Sequence, residues 1–289
     1  MITKDAAALK VERFDHNDVS GLIELSSSVG WDYDEGEINT ILLSGNIYGH
    51  KNPKGKIVSS AAIIPYDTNL ASIGMVIVHP EYRGLGLGKQ VTKTCMDRVS
   101  KNTSIMLIST KEGKPLYEKL GFRTVDVVHK FLCENFKHNP FDRTAEFALE
   151  HFQTDDFQKV RELDAASFGD QRSTFLRNRI KQSKQCMVIK NQYNDIVGFG
   201  LSIQGLMNLI IGPIVAPDHK IAATLVKALA FNHKGNLRID VPSSHPNFMT
   251  LLNQCGFEKV NEPPIMLKNS AKMPSRNQEL YGIAAQVFG

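Results

Sequence analysis

Residues 78–88 read Val-His-Pro-Glu-Tyr-Arg-Gly-Leu-Gly-Leu-Gly, between an apolar run and a helical pattern. Gly84, Gly86 and Gly88 therefore stand where a strand passes into a helix. Glycine at such a point allows a tight turn and lets backbone N–H groups approach a bound anion closely. The helix N-terminus adds partial positive charge at the same place. The segment is either a plain tight turn or a loop that binds a phosphate or pyrophosphate, and its surroundings favour the binding loop.

The segments on both sides of this loop follow a regular order. The strand predicted at 71–78 is apolar on both faces, which is typical of a strand buried on both sides of a sheet. After the loop, an apolar stripe at every fourth residue predicts an amphipathic helix, and it consists of Leu87, Val91, Cys95 and Val99. The pattern continues with a strand, a short helix and a strand, at 104–108, 114–122 and 124–129.

Two other phosphate-binding motifs do not fit the loop. A Rossmann loop needs Gly-x-Gly-x-x-Gly close to the first strand, whereas here the glycines alternate and three strand-like segments precede them. A Walker-type loop needs Gly-Lys followed by Ser or Thr, but Gln90 follows Lys89. The residues of this segment therefore exclude both a Rossmann loop and a Walker-type loop.

The loop has the form Arg-x-x-Gly-x-Gly, and the later short helix reads Leu-Tyr-Glu-Lys-Leu-Gly-Phe at 116–122. In this order and spacing, the two signatures resemble those of the GNAT superfamily of acetyl-CoA-dependent N-acetyltransferases, over residues 10–135. The resemblance implies an α/β (α+β) fold in which a mixed, mostly antiparallel twisted sheet is flanked by helices.

The composition bounds the class of protein. The chain has 289 residues, enough for about two domains, and 42% of them are hydrophobic, enough for real cores. No apolar run reaches about 18 residues and the first residues are polar, so we expect a cytoplasmic protein without a membrane span. The histidines and cysteines form no ligand cluster, so no metal is expected. The net charge of +4 comes without a basic stripe, which argues against nucleic-acid binding.

The second half of the chain echoes the first. Val215-Ala216-Pro217 matches Val78-His79-Pro80 at a separation of 137 residues, and 251–257 matches 116–122 at a separation of 135. We therefore predict two tandem GNAT-like domains, at 1–140 and 141–289. Such pairs occur in a bacterial branch of the superfamily, which the chain also resembles.

The two predicted domains differ where chemistry is expected. Under the first offset, the loop positions 83, 84, 86 and 88 map onto Lys220, Ile221, Ala223 and Leu225. Under the second offset, Tyr117 maps onto Leu252, which has no proton to give. We therefore predict one active N-terminal domain and one degenerate C-terminal domain.

The resemblance also implies which residues hold acetyl-CoA, the expected co-substrate. It places the pantetheine along the strand that ends the apolar run, at Val76, Ile77 and Val78. A main-chain N–H there would polarise the thioester carbonyl. It places the pyrophosphate on the loop, at Arg83, Gly84, Leu85, Gly86, Leu87, Gly88 and Lys89.

Tyr117 is the candidate general acid, which would protonate the leaving thiolate. Phenol and thiol have reference pKa values of about 10 and 8.5, close enough for useful proton transfer. The alternative is that Tyr117 only packs over the short helix. Family members often carry Asn seven residues before this tyrosine, and Thr110 stands there in this chain.

The acceptor wall is implied, by the same resemblance, to include the segment Trp31-Asp32-Tyr33-Asp34-Glu35. Asp32, Asp34 and Glu35 are candidates to accept a proton or to attract a cationic amine. The alternative is that they are solvated acids that open the helix predicted at 38–43. Trp31 is either a core anchor or a stacking face for the acceptor, and a water held by backbone atoms is a further candidate for the base.

The predicted function is acetyl transfer from acetyl-CoA to a primary amine, on a small molecule or a lysine, by direct attack in a ternary complex. An acetyl-CoA sensor that acts through a partner is the alternative, although a sensor needs the loop but not Tyr117. Transfer of a longer acyl group is a third interpretation, which the small Gly74 leaves open.

Overall fold

The computed structural model describes residues 9–137 and 147–289. The predicted domain boundary between 140 and 141 lies outside the described residues. The elements of the first half are β1 (Val11–Phe14), α1 (Val19–Ser27), α2 (Glu35–Ser44), β2 (Asn46–Lys51), β3 (Ile57–Pro65), β4 (Leu70–Val78), α3 (Leu87–Met96), β5 (Ser104–Ile108), α4 (Lys114–Lys119) and β6 (Arg123–Cys133).

The second half repeats this order and adds strands at its end. Its elements are β7 (Ala148–His151), α5 (Phe157–Phe168), α6 (Ser173–Gln182), β8 (Gln185–Lys190), β9 (Ile196–Gln204), β10 (Leu209–Val215), α7 (His219–Ala230), β11 (Leu237–Pro242), α8 (Pro246–Gln254), β12 (Glu258–Asn261), β13 (Pro264–Lys268) and β14 (Leu280–Gly282).

One sheet runs through both halves. Its strand order is β1-β2-β3-β4-β5-β13-β6-β11-β10-β9-β8-β7, with β12 paired to β6 and β14 paired to β10. The pairs β4–β5 and β10–β11 are parallel and the other pairs are antiparallel. The predicted fold, a mixed and mostly antiparallel sheet flanked by helices in tandem halves, is confirmed.

The two halves exchange strands at the centre of this sheet. Strand β13 comes from the end of the second half, yet it lies between β5 and β6 of the first half. Strand β6 in turn pairs with β11, from Val128 to Cys133. The sequence predicted a strand at 124–129, and β6 extends further because its later residues pair with the second half. Each half therefore completes the sheet of the other.

The short helices α4 and α8 confirm the predicted repeat. Each ends at a glycine in the left-handed region, Gly121 with φ +89° and Gly256 with φ +91°. The residue after each glycine closes the same turn, because Phe122 N–H donates to the Tyr117 carbonyl at 3.0 Å and Phe257 N–H donates to the Leu252 carbonyl at 3.1 Å. Such a glycine cap satisfies the last carbonyls of a helix.

The predicted residue-by-residue mapping of the loop onto the second half is wrong. Residues 79–86 join β4 to α3, whereas only residues 216–218 join β10 to α7. The second half has therefore lost most of the loop, and Ile221, Ala223 and Leu225 are buried core residues of α7 rather than loop residues. The predicted stripe on α3 also ends earlier than expected, since the helix stops at Met96.

Asp170 joins the two halves through main-chain bonds. It follows α5 in the second half, and its carboxylate accepts N–H bonds from Thr68, Asn69 and Leu70 in the β3–β4 turn of the first half, at 3.1, 3.0 and 2.9 Å. Close by, Arg172 forms a buried ion pair with Asp164, at 2.8 Å between Nε and Oδ2. Hydrogen bonds to an ionised acceptor are the strong kind, so this turn is held firmly against α5.

None of the helices between residues 9 and 137, or between 147 and 289, is long and apolar enough to cross a membrane.

The exchanged strands lead us to expect that the halves unfold together. Leu252→Ala empties a buried position of the second half and should cost about 2–5 kcal/mol of unfolding free energy. The single tryptophan, Trp31, reports on the first half. In urea unfolding, the midpoint seen by Trp31 fluorescence should fall together with the midpoint seen by far-UV circular dichroism.

A matched control is Leu206→Ala, the same change in the same half at a side chain that is 64% exposed. Its effect should stay within about 0.5 kcal/mol. An unchanged Trp31 midpoint in Leu252→Ala would show that the halves unfold independently.

Candidate active site

Strands β4 and β5 diverge and open a wedge in the first half. They pair only at Leu70, Ala71 and Ser72 of β4, although β4 continues to Val78. On its other edge, β4 stays paired with β3 as far as Val78. Within the described ranges, residues 73–78 therefore have no strand partner on the side of β5. Their main-chain groups that point to this side are free to bind an extended ligand.

A bulge re-aims the backbone of β4 inside this wedge. Ala62 of β3 pairs with Gly74 and Ser60 pairs with Ile77, so the register shifts between them. Met75 lies in the bulge with φ +52°, a strained value for a bulky side chain. Ser60 Oγ donates to the Met75 carbonyl at 2.8 Å and holds this conformation. Bulges of this kind redirect main-chain groups and are common next to active sites.

The glycine loop lies at the outer end of the wedge. Gly84 and Gly86 have φ values of +81° and +77°, and a Cβ atom added at either would meet nothing within 4 Å. Gly86 is also the N-cap of α3, which has no side-chain cap. The first N–H groups of α3 lack acceptors within the helix and are open to an external anion. The residues present therefore fit the pyrophosphate of a coenzyme A ester.

The predicted cofactor residues and the helix of Tyr117 converge at Gly88. A Cβ atom at Gly88 would lie 3.4 Å from Val78 Cγ2 and 3.6 Å from Leu116 Cδ2. The loop, the end of β4 and helix α4 therefore meet at one point. Val76, Ile77 and Val78 form the end of β4, directly before the loop.

Tyr117 lies beside this lining but not on the cavity wall described below. Its side chain is 7% exposed and packs edge-on against Phe122, with ring centroids 6.0 Å apart. Burial raises the pKa of Tyr117, so the phenol stays protonated at neutral pH. A Cβ atom at Gly113 would lie 3.0 Å from the Tyr117 ring and 3.3 Å from Thr110 Oγ1. Thr110 lines the cavity, so Gly113 lies between the Tyr117 ring and a residue of the cavity wall.

A cavity of about 270 Å³ lies at the inner end of the wedge. Gly74, Met75 and Ile108 form its floor, where β4 and β5 separate. Trp31, Asp32 and Asp34, the predicted acceptor residues, are on its wall, whereas Glu35 is exposed and points elsewhere. The cavity therefore joins the end of the wedge to the segment between α1 and α2.

The position of Asp34 is compatible with both of the roles that the sequence left open. It is the N-cap of α2, with Oδ1 accepting the Glu37 N–H at 2.8 Å, and it also lines the cavity. Burial and then repulsion by Glu37 raise its pKa, although the capping bond opposes the shift. A carboxylate with a raised pKa is a better proton acceptor near neutral pH than an ordinary aspartate.

Glu37 is a further wall residue, and the sequence analysis missed it. It pairs with Arg179 of α6, and both side chains are buried. Arg179 Nη2 also donates to the Ala284 carbonyl at 2.7 Å, and Gln182 Nε2 donates to Glu37 at 3.0 Å. The pattern Asp-x-x-Glu at 34–37 is a helix-start signal, so it could have marked Glu37 as part of this segment.

Two basic side chains form the opposite wall, and the sequence analysis missed both. They are Lys130 of β6 and Arg238 of β11. Arg238 donates from Nε and Nη2 to Asp240 Oδ2, at 3.0 and 2.7 Å. Burial lowers the pKa of Lys130, and the charge of Arg238 lowers it further. No local pattern signals these residues, because only the pairing of β6 with β11 brings Lys130 and Arg238 to the same wall.

In the second half, the chain itself fills the equivalent wedge. Strand β10 pairs with β11 only from Leu209 to Ile211. Beyond this point β14 pairs with β10 at Ile214 and Val215, and Ile283 N–H donates to the Asp240 carbonyl at 2.9 Å. The N-terminus of α7 is also capped from within, since Asp218 accepts the N–H groups of Lys220 and Ile221. The second half therefore has neither the unpaired strand edge nor the uncapped helix N-terminus of the first wedge.

Among the described residues, no group of three or more His, Cys, Asp or Glu side chains is placed to hold a metal ion.

Comparison with known proteins agrees with this architecture. Sequence profiles described as an acetyltransferase (GNAT) domain match residues 44–141 and 160–282. An uncharacterised N-acetyltransferase of Bacillus subtilis, YitH, is 39% identical over 272 residues, which cover 94% of this chain and 95% of that protein.

Solved structures share the fold over nearly the whole chain. A crystal structure from Pyrococcus horikoshii, described provisionally as an acetyltransferase, has a TM-score of 0.80 at 19% identity and covers 97% of this chain and 96% of its own. A tandem GNAT protein from the clavulanic acid biosynthesis pathway has a TM-score of 0.66 at 12% identity, with 90% and 98% covered. The chain thus belongs to the GNAT acetyltransferases, as an acyltransferase with two GNAT domains in tandem.

Proposed function

We propose that the chain transfers an acetyl group from acetyl-CoA to a primary amine, on a small molecule or a lysine, at the wedge of its first half. One observation carries the proposal. The unpaired edge of β4 leads from an uncapped glycine loop at one end to a cavity lined by acidic side chains at the other. A long anionic cofactor with a reactive end needs this combination.

The loop from Arg83 to Lys89 would bind the pyrophosphate through main-chain N–H groups and the dipole of α3. The edge of β4 at Val76, Ile77 and Val78 would pair with the amides of the pantetheine. When bound, acetyl-CoA supplies the acetyl group as an activated thioester. A main-chain N–H at the bulge beside Met75 would polarise its carbonyl, as preorganised donors do in acyl transfer.

The acidic wall would receive the acceptor amine. Asp32 and Asp34 attract the ammonium form, and Asp34 is the candidate to accept its proton. Oδ1 of Asp34 is held by the Glu37 N–H, which leaves Oδ2 for this task. Tyr117 would donate its phenolic proton to the departing sulfur, because helix α4 lies beside the end of β4 at Gly88.

The loop proposal is tested by Gly86→Val. A side chain here enters the space where the pyrophosphate would lie, so acetyl-CoA binding should be lost. The matched control is Gly55→Val in the β2–β3 turn, because Gly55 has φ +79° and equally open surroundings. Each change imposes a strain of about 1–2 kcal/mol, but only the first should affect binding.

Isothermal titration measures the outcome. The wild type and Gly55→Val should bind one acetyl-CoA per chain, since β14 fills the second wedge. Two equivalent sites, or unchanged binding by Gly86→Val, would contradict the proposal.

The role of Tyr117 is tested by Tyr117→Phe, which keeps the ring but removes the proton. General acids typically contribute about 10²–10⁴-fold, so kcat should fall at least tenfold while the acetyl-CoA Kd stays the same. Tyr48→Phe is the control, because Tyr48 is also 7% exposed and lies in the same hydrophobic cluster. Release of coenzyme A thiol across a panel of amines gives the rate.

If Tyr117→Phe turns over at the wild-type rate with chemistry rate-limiting, Tyr117 only packs. Binding of acetyl-CoA without turnover of any amine would favour the sensor instead.

A further inference from the structure

The acceptor cavity has a surplus of positive charge on one wall. Lys130 and Asp240 face each other across β6 and β11, and Arg238 lies two residues from Asp240 on the same strand face. The wall thus carries two cations and one carboxylate. Asp240 is already occupied, with Arg238 on Oδ2 and Gln286 Nε2 on Oδ1 at 3.3 Å. Across the residues that the structure describes, the Lys130 ammonium has no ion-pair or hydrogen-bond partner.

The opposite wall has a surplus of negative charge. Glu37 is neutralised by Arg179, but Asp32 and Asp34 have no ion-pair partner within the described ranges. The charge of Asp32 acts across the cavity, since it opposes the lowering of the Lys130 pKa by burial and contributes to the raised pKa of Arg238. The cavity is therefore dipolar, with a carboxylate wall from the first half and a cationic wall at the exchanged strands. A neutral or purely cationic amine would leave Lys130 partly buried and unpaired.

The cationic wall is connected to the end of the cavity at the β4 bulge, where the acetyl group would be transferred. Val287 lies against Gly74 at the β4 bulge, within 2.8 Å of a Cβ atom placed there. Gln286, the residue before Val287, donates a hydrogen bond from its side-chain amide to the carboxylate of Asp240, which also binds Arg238. Adjacent Cα atoms are about 3.8 Å apart, so residues 286 and 287 connect the β4 bulge to the cationic wall. The cavity volume, about 270 Å³, is just below the usual range of about 300–1,000 Å³ for small-molecule sites.

We infer that the acceptor is a small amine that also carries an anionic group, a carboxylate or a phosphate, which Lys130 binds with Arg238 beside it. This inference rests on the proposed function, because it names the substrate class of the same cavity. The ammonium end would face Asp32 and Asp34, and the anionic end would pair with the free ammonium of Lys130. A lysine within a protein chain would not supply the anion.

Matched pairs of amines test the inference on the protein loaded with coenzyme A. The pairs are O-phosphoethanolamine with ethanolamine, β-alanine with β-alaninamide, and Nα-acetyl-lysine with its amide. At least one anionic member should bind ten times more tightly than its neutral partner. The first pair tests recognition of a phosphate, and the other two test recognition of a carboxylate. The carboxylate lies farther from the amine in Nα-acetyl-lysine than in β-alanine. If no anionic member binds more tightly than its partner, the inference is wrong.

Lys130→Gln should remove this preference. Loss of a charge-assisted hydrogen bond should weaken binding of the anionic member roughly 10- to 100-fold. Binding of the neutral partner should change by less than about threefold. Lys259→Gln is the matched control, since it makes the same change of charge on the neighbouring β12, where Lys259 is exposed. Arg238→Lys, which keeps the charge beside Asp240, should retain the preference for the anion.

An equal preference in Lys130→Gln and Lys259→Gln would overturn the assignment of Lys130. Titration with acetyl-CoA separates this failure from failure of the proposed function. The proposed function fails if the wild type does not bind acetyl-CoA, whatever the amines do. The inference fails alone if acetyl-CoA binds and neutral amines bind as tightly as anionic ones.

Discussion

The position of β13 between β5 and β6 is the constraint on which the rest of the structure depends. In the first half alone, β5 would pair only with β4, and only over three residues. Strand β13 pairs with β5 from Ile105 to Ile108 and so fixes it on its other side. Because β5 is held there, it cannot close the gap beside β4. The open wedge, and with it the candidate cofactor site, therefore depends on a strand from the other half.

Buried charges hold the halves at the same junction. Arg172 stacks over Phe168, with its guanidinium carbon 3.8 Å from the ring centroid, while Asp164 binds its edge. Arg179 reaches from α6 to Glu37 in the first half. Burying such ions costs desolvation free energy that their attraction only partly offsets, whereas removing one partner leaves a buried charge uncompensated. The Arg172–Asp164 pair acts within the second half, whereas the Arg179–Glu37 pair crosses between the halves. The crossing pair thus contributes less to total stability than to one relative position of the halves, which is also the position that forms the cavity.

Local patterns were enough to predict the parts of the site that lie on one continuous segment. The glycine loop, the apolar strand before it and the caps of α4 and α8 follow from spacing and glycine chemistry within about ten residues. The predicted acceptor residues Trp31, Asp32 and Asp34 also share one segment, and the structure places them on the cavity wall. Their roles, and those of the loop and Tyr117, stay predictions.

The parts that depend on pairing between distant strands could not be read from the sequence. Lys130 lies just beyond the strand predicted at 124–129, and nothing near it indicates that β11 lies beside it. The segment of β14 is short and gave no strand signal, yet it fills the second wedge. The glycine loop was aligned with the second half without a gap, because the matched segments before and after it have nearly equal separations, 137 and 135 residues. The shorter connection between β10 and α7 is compensated elsewhere in the repeat, so these separations do not reveal it.

The exchange of strands also has a consequence for biosynthesis. When β6 leaves the ribosome, its future neighbour β13 is still about 130 residues away. At roughly 5–20 residues per second, the edge of β5 stays unpaired for on the order of ten seconds. An unpaired apolar edge is a template for pairing with other chains. The nascent first half is therefore open to non-native strand pairing until the last strands emerge, and crowding of several ribosomes on one message would place identical open edges side by side.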